Sequence, residues 1–172
     1  MPEPVSLAVY VKRRNGVSLG ANGSMTNMLE RSFGAGSFSM FWRYWNPIWG
    51  YYLSRHVMKP LCRYFPVWLA TLMTFAVSGG LHDLAVILVK WQPTFLFTPW
   101  FVLMGVAVLL SKALNISYYG RHWFVRMLLN LAIIAGCLML ALTIEATFVE
   151  VKGFIDPKWL VETEMDCIID EE

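Results

Sequence analysis

Three apolar runs set the pattern of this chain: Val67 to Val89, Phe95 to Leu110, and Trp123 to Ile144. A helix needs about 20 residues to cross a hydrocarbon core, so the first and third runs are long enough and the second is nearly so. Trp100 and Lys112 can anchor the ends of the short run at an interface, and Pro99 is tolerated in its first turn. The pattern predicts transmembrane helices over about 67–89, 95–111 and 123–144 within a segment 66–145. The first run is interrupted at its centre by Ser78-Gly79-Gly80-Leu81-His82-Asp83. An ionisable pair at that depth costs several kcal/mol, which marks a functional site.

The flanking segments read differently. Residues 1–37 form a cytoplasmic N-terminal segment with little structure of its own. Within it Val5, Leu7, Val9 and Val11 alternate as in a short strand, and Asn15-Gly16, Gly20 to Ser24 and Gly34 to Ser37 signal turns. Residues 38–65 are dense in aromatic and basic side chains. A helix is expected there from about Ile48 to Met58, started by Pro47 and ended by Pro60 and Pro66. Arg43, Arg55, Lys59 and Arg63 keep it out of the bilayer centre, so it reads as an amphipathic helix lying in, or re-entering, the interface. Residues 146–172 form an acidic tail, with Asp156-Pro157 expected to break it and residues 162–172 solvated. The fold class is thus an all-α membrane protein, with about three transmembrane helices plus an interfacial helix.

Composition supports that class. Hydrophobic residues make up 57% of the chain and charged residues only 15%, against roughly a quarter charged in soluble proteins. The net charge of +2 hides an asymmetry. Lys12, Arg13, Arg14, Arg31, Arg43, Arg55, Lys59 and Arg63 precede the first run, opposed by Glu3 and Glu30 alone. Acidic residues crowd the end. The positive-inside rule places the N-terminus in the cytoplasm, Lys112, Arg121 and Arg126 in a second cytoplasmic loop, and the acidic C-terminus on the opposite side. The basic residues then serve topology and contact with anionic lipids rather than nucleic acid, for which no recognition motif is present. Val5 to Val11 precedes its basic cluster, so no cleavable signal is expected. Cys62, Cys137 and Cys167 have no metal-ligand or disulfide spacing.

On a helix, Thr74, Ser78 and His82 fall at i, i+4 and i+8, with Thr71 beside them, and so share one face. This polar stripe ends at an imidazole, the commonest general base. Gly79 and Gly80 remove bulk next to it, which permits close helix packing or leaves room for a substrate tunnel. Asp83 points about 100° away and suits orienting a neighbour or pairing a cation rather than acting as the base. A core histidine bonded between helices is the alternative for His82. His56 and His122 lie near the ends of predicted spans. No second mid-span histidine offers a haem or metal ligand, so no bound cofactor and no metal site are expected.

Phe41-Trp42-x-x-Trp45-Asn46, then Arg55-His56, then Lys59-Pro60, resembles a signature of the membrane-bound O-acyltransferases, closest to the diacylglycerol and sterol O-acyltransferase branch. Val77-Ser78-Gly79-Gly80-Leu81-His82-Asp83 resembles that family's second signature, a Ser four residues before the catalytic His. The resemblance covers roughly residues 33–90. It departs from the pattern where Pro47 directly follows Asn46, and at Gly50 and Tyr52. It implies acyl transfer from a thioester to a hydroxyl acceptor, with acyl-coenzyme A as co-substrate and no covalent acyl-enzyme. His82 and Asn46 take the catalytic positions, one as general base and the other positioning the reacting groups. Trp42, Trp45, Arg43, Arg55 and Ser78 take the substrate- and cofactor-binding positions, the arginines meeting the coenzyme phosphates. The family's enzymes enclose both motifs in a larger bundle, so a homo-oligomer or an additional membrane subunit is expected beside membrane lipids. The alternative reading is a non-catalytic multi-pass subunit that binds lipid or a partner protein.

Overall fold

The computed structural model describes residues 5–91 and 95–155, and all regular structure among them is helical. The helices in chain order are α1 (Leu7–Asn15), α2 (Ser24–Phe33), α3 (Phe38–Tyr44), α4 (Pro47–Leu53), α5 (Lys59–Leu61), α6 (Val67–Lys90), α7 (Phe97–Ala113) and α8 (Trp123–Ile155). A π-helical turn, Ser54–Met58, joins α4 to α5. It ends just before Pro60, whose ring excludes the regular bond to the carbonyl four residues back. α6 and the Trp123–Thr147 part of α8 are long and apolar enough to cross a membrane, whereas α7 is shorter, at 17 residues.

The alternating segment at the N-terminus is helix, not strand. Ser6 caps α1 by accepting from the Val9 N–H, and Gly16 closes it with φ of 85°, a left-handed conformation open to glycine. Val11 and Asn15, one turn apart, are both buried. Alternation over four apolar positions was outweighed by these end signals and by packing of α1 on α4. Tyr10 meets Tyr51 edge to face, and the Tyr51 hydroxyl donates to the Val5 carbonyl. The first 37 residues therefore carry two ordered helices rather than little structure. At the other end α8 continues past the expected boundary at Ile144 to Ile155. The expected break at Asp156-Pro157 and the solvated tail lie outside the described residues.

The buried core lies between α3 and α7. Ala35, Phe38 and Phe41 meet Phe101, Met104 and Val108, with Trp42 and Phe75 packed against them. α6 and α7 run antiparallel at close range. A Cβ on Gly79 would fall 2.6 Å from the Phe97 carbonyl oxygen and 2.7 Å from the Thr98 Cα. Gly105 gives Phe75 the same freedom two turns away. Among the described residues α8 joins the rest through polar contacts: the Trp123 indole donates to the Glu30 carbonyl at 3.2 Å, the Trp100 indole donates to the Ile134 carbonyl at 3.1 Å, and fully buried Asn130 binds the turn between α2 and α3. Its amide nitrogen donates to the Phe33 and Ala35 carbonyls at 3.1 Å each, and its oxygen accepts from the Tyr118 hydroxyl. Burial pushes the Tyr118 phenol up to about 12.

Candidate functional site

The polar stripe of α6 faces a cavity of about 630 Å³, lined by Thr71, Thr74, Ser78 and His82 on one wall. The opposite wall comes from the end of α3 and from the segment α4 to α5, which runs back along α6. Trp49, near its start, meets Ser78, and Met58, near its end, meets Thr74. Local sequence explains why this wall stands where it does. The residue before a proline is pushed out of the α region, and Asn46 takes the left-handed conformation with φ of 38°. This stops the chain after α3 and restarts it as α4. Asn46 Oδ1 accepts from the Trp49 N–H at 3.2 Å, so Asn46 is the N-cap of α4, with Pro47 in the first turn.

Among the described residues His82 has a hydrogen-bond partner at one ring nitrogen. Its Nδ1 lies 2.7 Å from the Ser78 carbonyl oxygen. A carbonyl can only accept, so Nδ1 carries the proton, and in the neutral ring Nε2 keeps its lone pair. The ring is exposed on the cavity side and packs against Phe101, Phe97 and the edge of Trp49, at centroid distances of 4.9, 5.8 and 6.3 Å. Ser78 acts twice. Its carbonyl fixes His82, and its buried hydroxyl accepts from the Trp49 indole N–H at 2.9 Å. The first turn of α4 is thereby tied to the turn of α6 that carries the imidazole.

Asp83 faces away from the cavity and is buried. Its Oδ1 accepts from the N–H groups of Leu96 and Phe97 at 3.1 and 2.8 Å. Its Oδ2 accepts from the N–H and hydroxyl of Thr98 at 2.8 and 2.6 Å. A carboxylate from one helix thus satisfies the open N–H groups at the start of the next.

Of the residues singled out in the sequence, His82, Asn46, Trp42, Trp45, Arg43 and Ser78 line this one cavity. Arg55 does not. Its guanidinium binds the Tyr51 hydroxyl at 2.7 Å, among the exposed groups of α4. Gly79 resolves toward close packing rather than an open tunnel, because α7 occupies the space beside it. Sequence reasoning missed Trp49 and the aromatic wall from Phe97 and Phe101. The Asn46-Pro47 cap fixes the start of α4, and so was the available signal for Trp49. It also missed Arg14 and Lys112, which line the cavity with Arg43. Among the described residues none of the lining side chains is a carboxylate. An apolar cavity with cations and one imidazole suits an amphipathic ligand with an anionic part. Comparison with family models, with curated proteins and with solved structures finds no match for this chain.

Proposed function

We propose that this chain is a membrane-bound O-acyltransferase-like protein that moves an acyl group from an acyl thioester, acyl-coenzyme A, to a hydroxyl acceptor. The observation that carries this reading is the geometry of His82. Its Nδ1–H is committed to the Ser78 carbonyl, which leaves Nε2 as the basic nitrogen on an exposed ring beside an apolar cavity shared with Asn46. In the proposed step Nε2 takes the proton of the acceptor hydroxyl as its oxygen bonds to the thioester carbonyl carbon. The carbon–sulfur bond breaks, and the departing thiolate takes that proton back from the imidazolium. The products are an ester and the free thiol, and the enzyme returns to its starting state. Trp42 and Trp45 shape the cavity, and Arg43 meets the anionic part of the donor, joined by Arg14 and Lys112.

The same reading makes the chain a multi-pass membrane protein with α6, α7 and α8 as spans. The N-terminus is then cytoplasmic and the acidic C-terminus lies on the opposite side. Leu81 at the cavity and Leu84 and Leu88 further along α6 are exposed, so in this reading lipid, a second copy or another membrane subunit covers this part of α6. One observation favours a non-catalytic subunit instead: the Asn46 oxygen is already engaged as the cap of α4.

Coenzyme A release decides between them. The purified protein in nanodiscs, given acyl-coenzyme A and a panel of lipid, sterol and sugar alcohols, is expected to release thiol. His82→Ala is expected to reduce that release by about 100-fold or more. Full turnover in His82→Ala removes His82 as the base. No turnover by the native protein across the panel favours the subunit reading.

A further inference from the structure

Asp83 sits next to His82 in the chain but on the other side of α6, and the cavity does not touch it. Among the described residues its four bonds go to the start of α7. α7 begins opposite Asp83, about two turns short of the end of α6 at Lys90. A helix that starts alongside its neighbour has its first N–H groups partly shielded from water, where an unpaired donor is costly. The carboxylate removes that cost at one point only, and so fixes the depth and rotation of the first turn of α7. That turn carries Phe97, and the next carries Phe101. These two rings form the wall against which the imidazole of His82 rests, at 5.8 and 4.9 Å. Gly79, one turn before Asp83 on the same face of α6, lets that turn approach to contact distance.

We infer that Asp83 is a positioning residue: by capping α7 in trans, it seats Phe97 and Phe101 so that the His82 ring stays in the Nδ1–H tautomer, with Nε2 aimed into the cavity. The inference concerns the acyl-transfer site proposed above and takes its functional meaning from that reading. Its physical content is independent of it. Among the described residues the ring has one hydrogen bond, to Ser78, and a plane with one such bond can still rotate unless flanking groups stop it. Asp83 acts on the ring through the aromatic wall and not by contact.

The test is nitrogen NMR of the full chain in nanodiscs with histidine labelled at both ring nitrogens. His82 is assigned by the loss of its signals in His82→Gln. In the native protein His82 is expected as a single Nδ1–H tautomer. In Asp83→Asn its two nitrogens are expected to move toward the averaged shifts of a mobile ring, while His56 and His122 keep theirs. Should Asp83→Asn not fold, Thr98→Val removes only one of the four donors and is expected to shift His82 in the same direction by a smaller amount. Coenzyme A release is then expected to fall roughly tenfold or more in Asp83→Asn with KM for the donor held within about twofold, as for a misplaced base. An unchanged His82 tautomer in a folded Asp83 or Thr98 variant overturns the inference, whatever the activity. A native protein without turnover but with a tautomer that depends on Asp83 leaves the positioning role standing and removes the acyltransferase reading.

Discussion

The contact between α6 and α7 and the contact between α7 and α8 join neighbouring helices by opposite means. At the first, Gly79 lets the α7 backbone lie where any Cβ would collide with it, and Asp83 binds the first turn through both oxygens. At the second, the Trp100 indole reaches one carbonyl, and Asn130 ties α8 to the α2–α3 turn, while Gly136 of α8 faces open space. The tight contact lies directly behind His82. The looser one reaches His82 only indirectly, through Trp100 packed on Phe97 and Phe101. A site that depends on the orientation of one ring requires rigid support on the side where that ring rests. The outer face of α8 requires only an apolar surface, and Leu128, Met139 and Leu142 supply it.

Substitution of the two glycines breaks this comparison most sharply. Gly79→Ala is expected to destabilise the protein by about 1–3 kcal/mol, because the new methyl meets backbone that cannot yield without moving α7. It is also expected to lose most coenzyme A release. Gly136→Ala, with nothing within 4 Å, is expected to be neutral or stabilising by about 0.5–1 kcal/mol through helix propensity. Thermal unfolding followed by tryptophan fluorescence, together with thiol release, measures both. Equal effects at the two positions would show that the close approach of α7 to Gly79 carries no special cost.

Asn130 gives a stability effect of the same order but without the loss of thiol release. Asn130→Ala leaves the Phe33 and Ala35 carbonyls and the Tyr118 hydroxyl without their partner and is expected to cost about 2–3 kcal/mol. Its expected signature is faster proteolysis of the α2–α3 turn, with the His82 tautomer unchanged. A shift of His82 in this variant would show that α8 supports the site after all.

The smallest effect lies in alkaline pH. The Tyr118 phenol ionises at 10.0 when unperturbed and at about 12 in the folded protein. Between those values the unfolded state loses its proton first, so stability falls as pH rises through that window. Tyr118→Phe is expected to flatten this part of the curve in a pH series of thermal unfolding, leaving the contribution of the other tyrosines.

Much of the candidate site was legible because it is local. The i, i+4, i+8 spacing of Thr74, Ser78 and His82 puts them on one face wherever α6 lies, and all three line the cavity. The Asn46-Pro47 pair fixes where α4 starts. Arg55 shows where this reasoning stopped. Its charge suggested a phosphate partner, but Tyr51, one turn earlier on the same helix, offers a hydroxyl that needs no rearrangement to reach. The first helix was missed because four alternating apolar residues satisfy a strand as well as one helical turn satisfies a helix, and only the contacts with α4 separate the two.

By itself the sequence determined the helical class, the extent of α6, the start of α8 and the polar face that ends at His82, while α7, expected over about 95–111, lies two residues later at Phe97–Ala113. These follow from a period of 3.6 residues and from caps acting within a few residues. Only the tertiary structure decided that Ser78 takes the Trp49 indole, that Asp83 caps α7, and that Asn130 holds the turn 95 to 97 residues before it. Glycine and short polar side chains permit such approaches without specifying the partner. The partner is chosen by how whole helices pack and by which buried donors would otherwise stay unpaired.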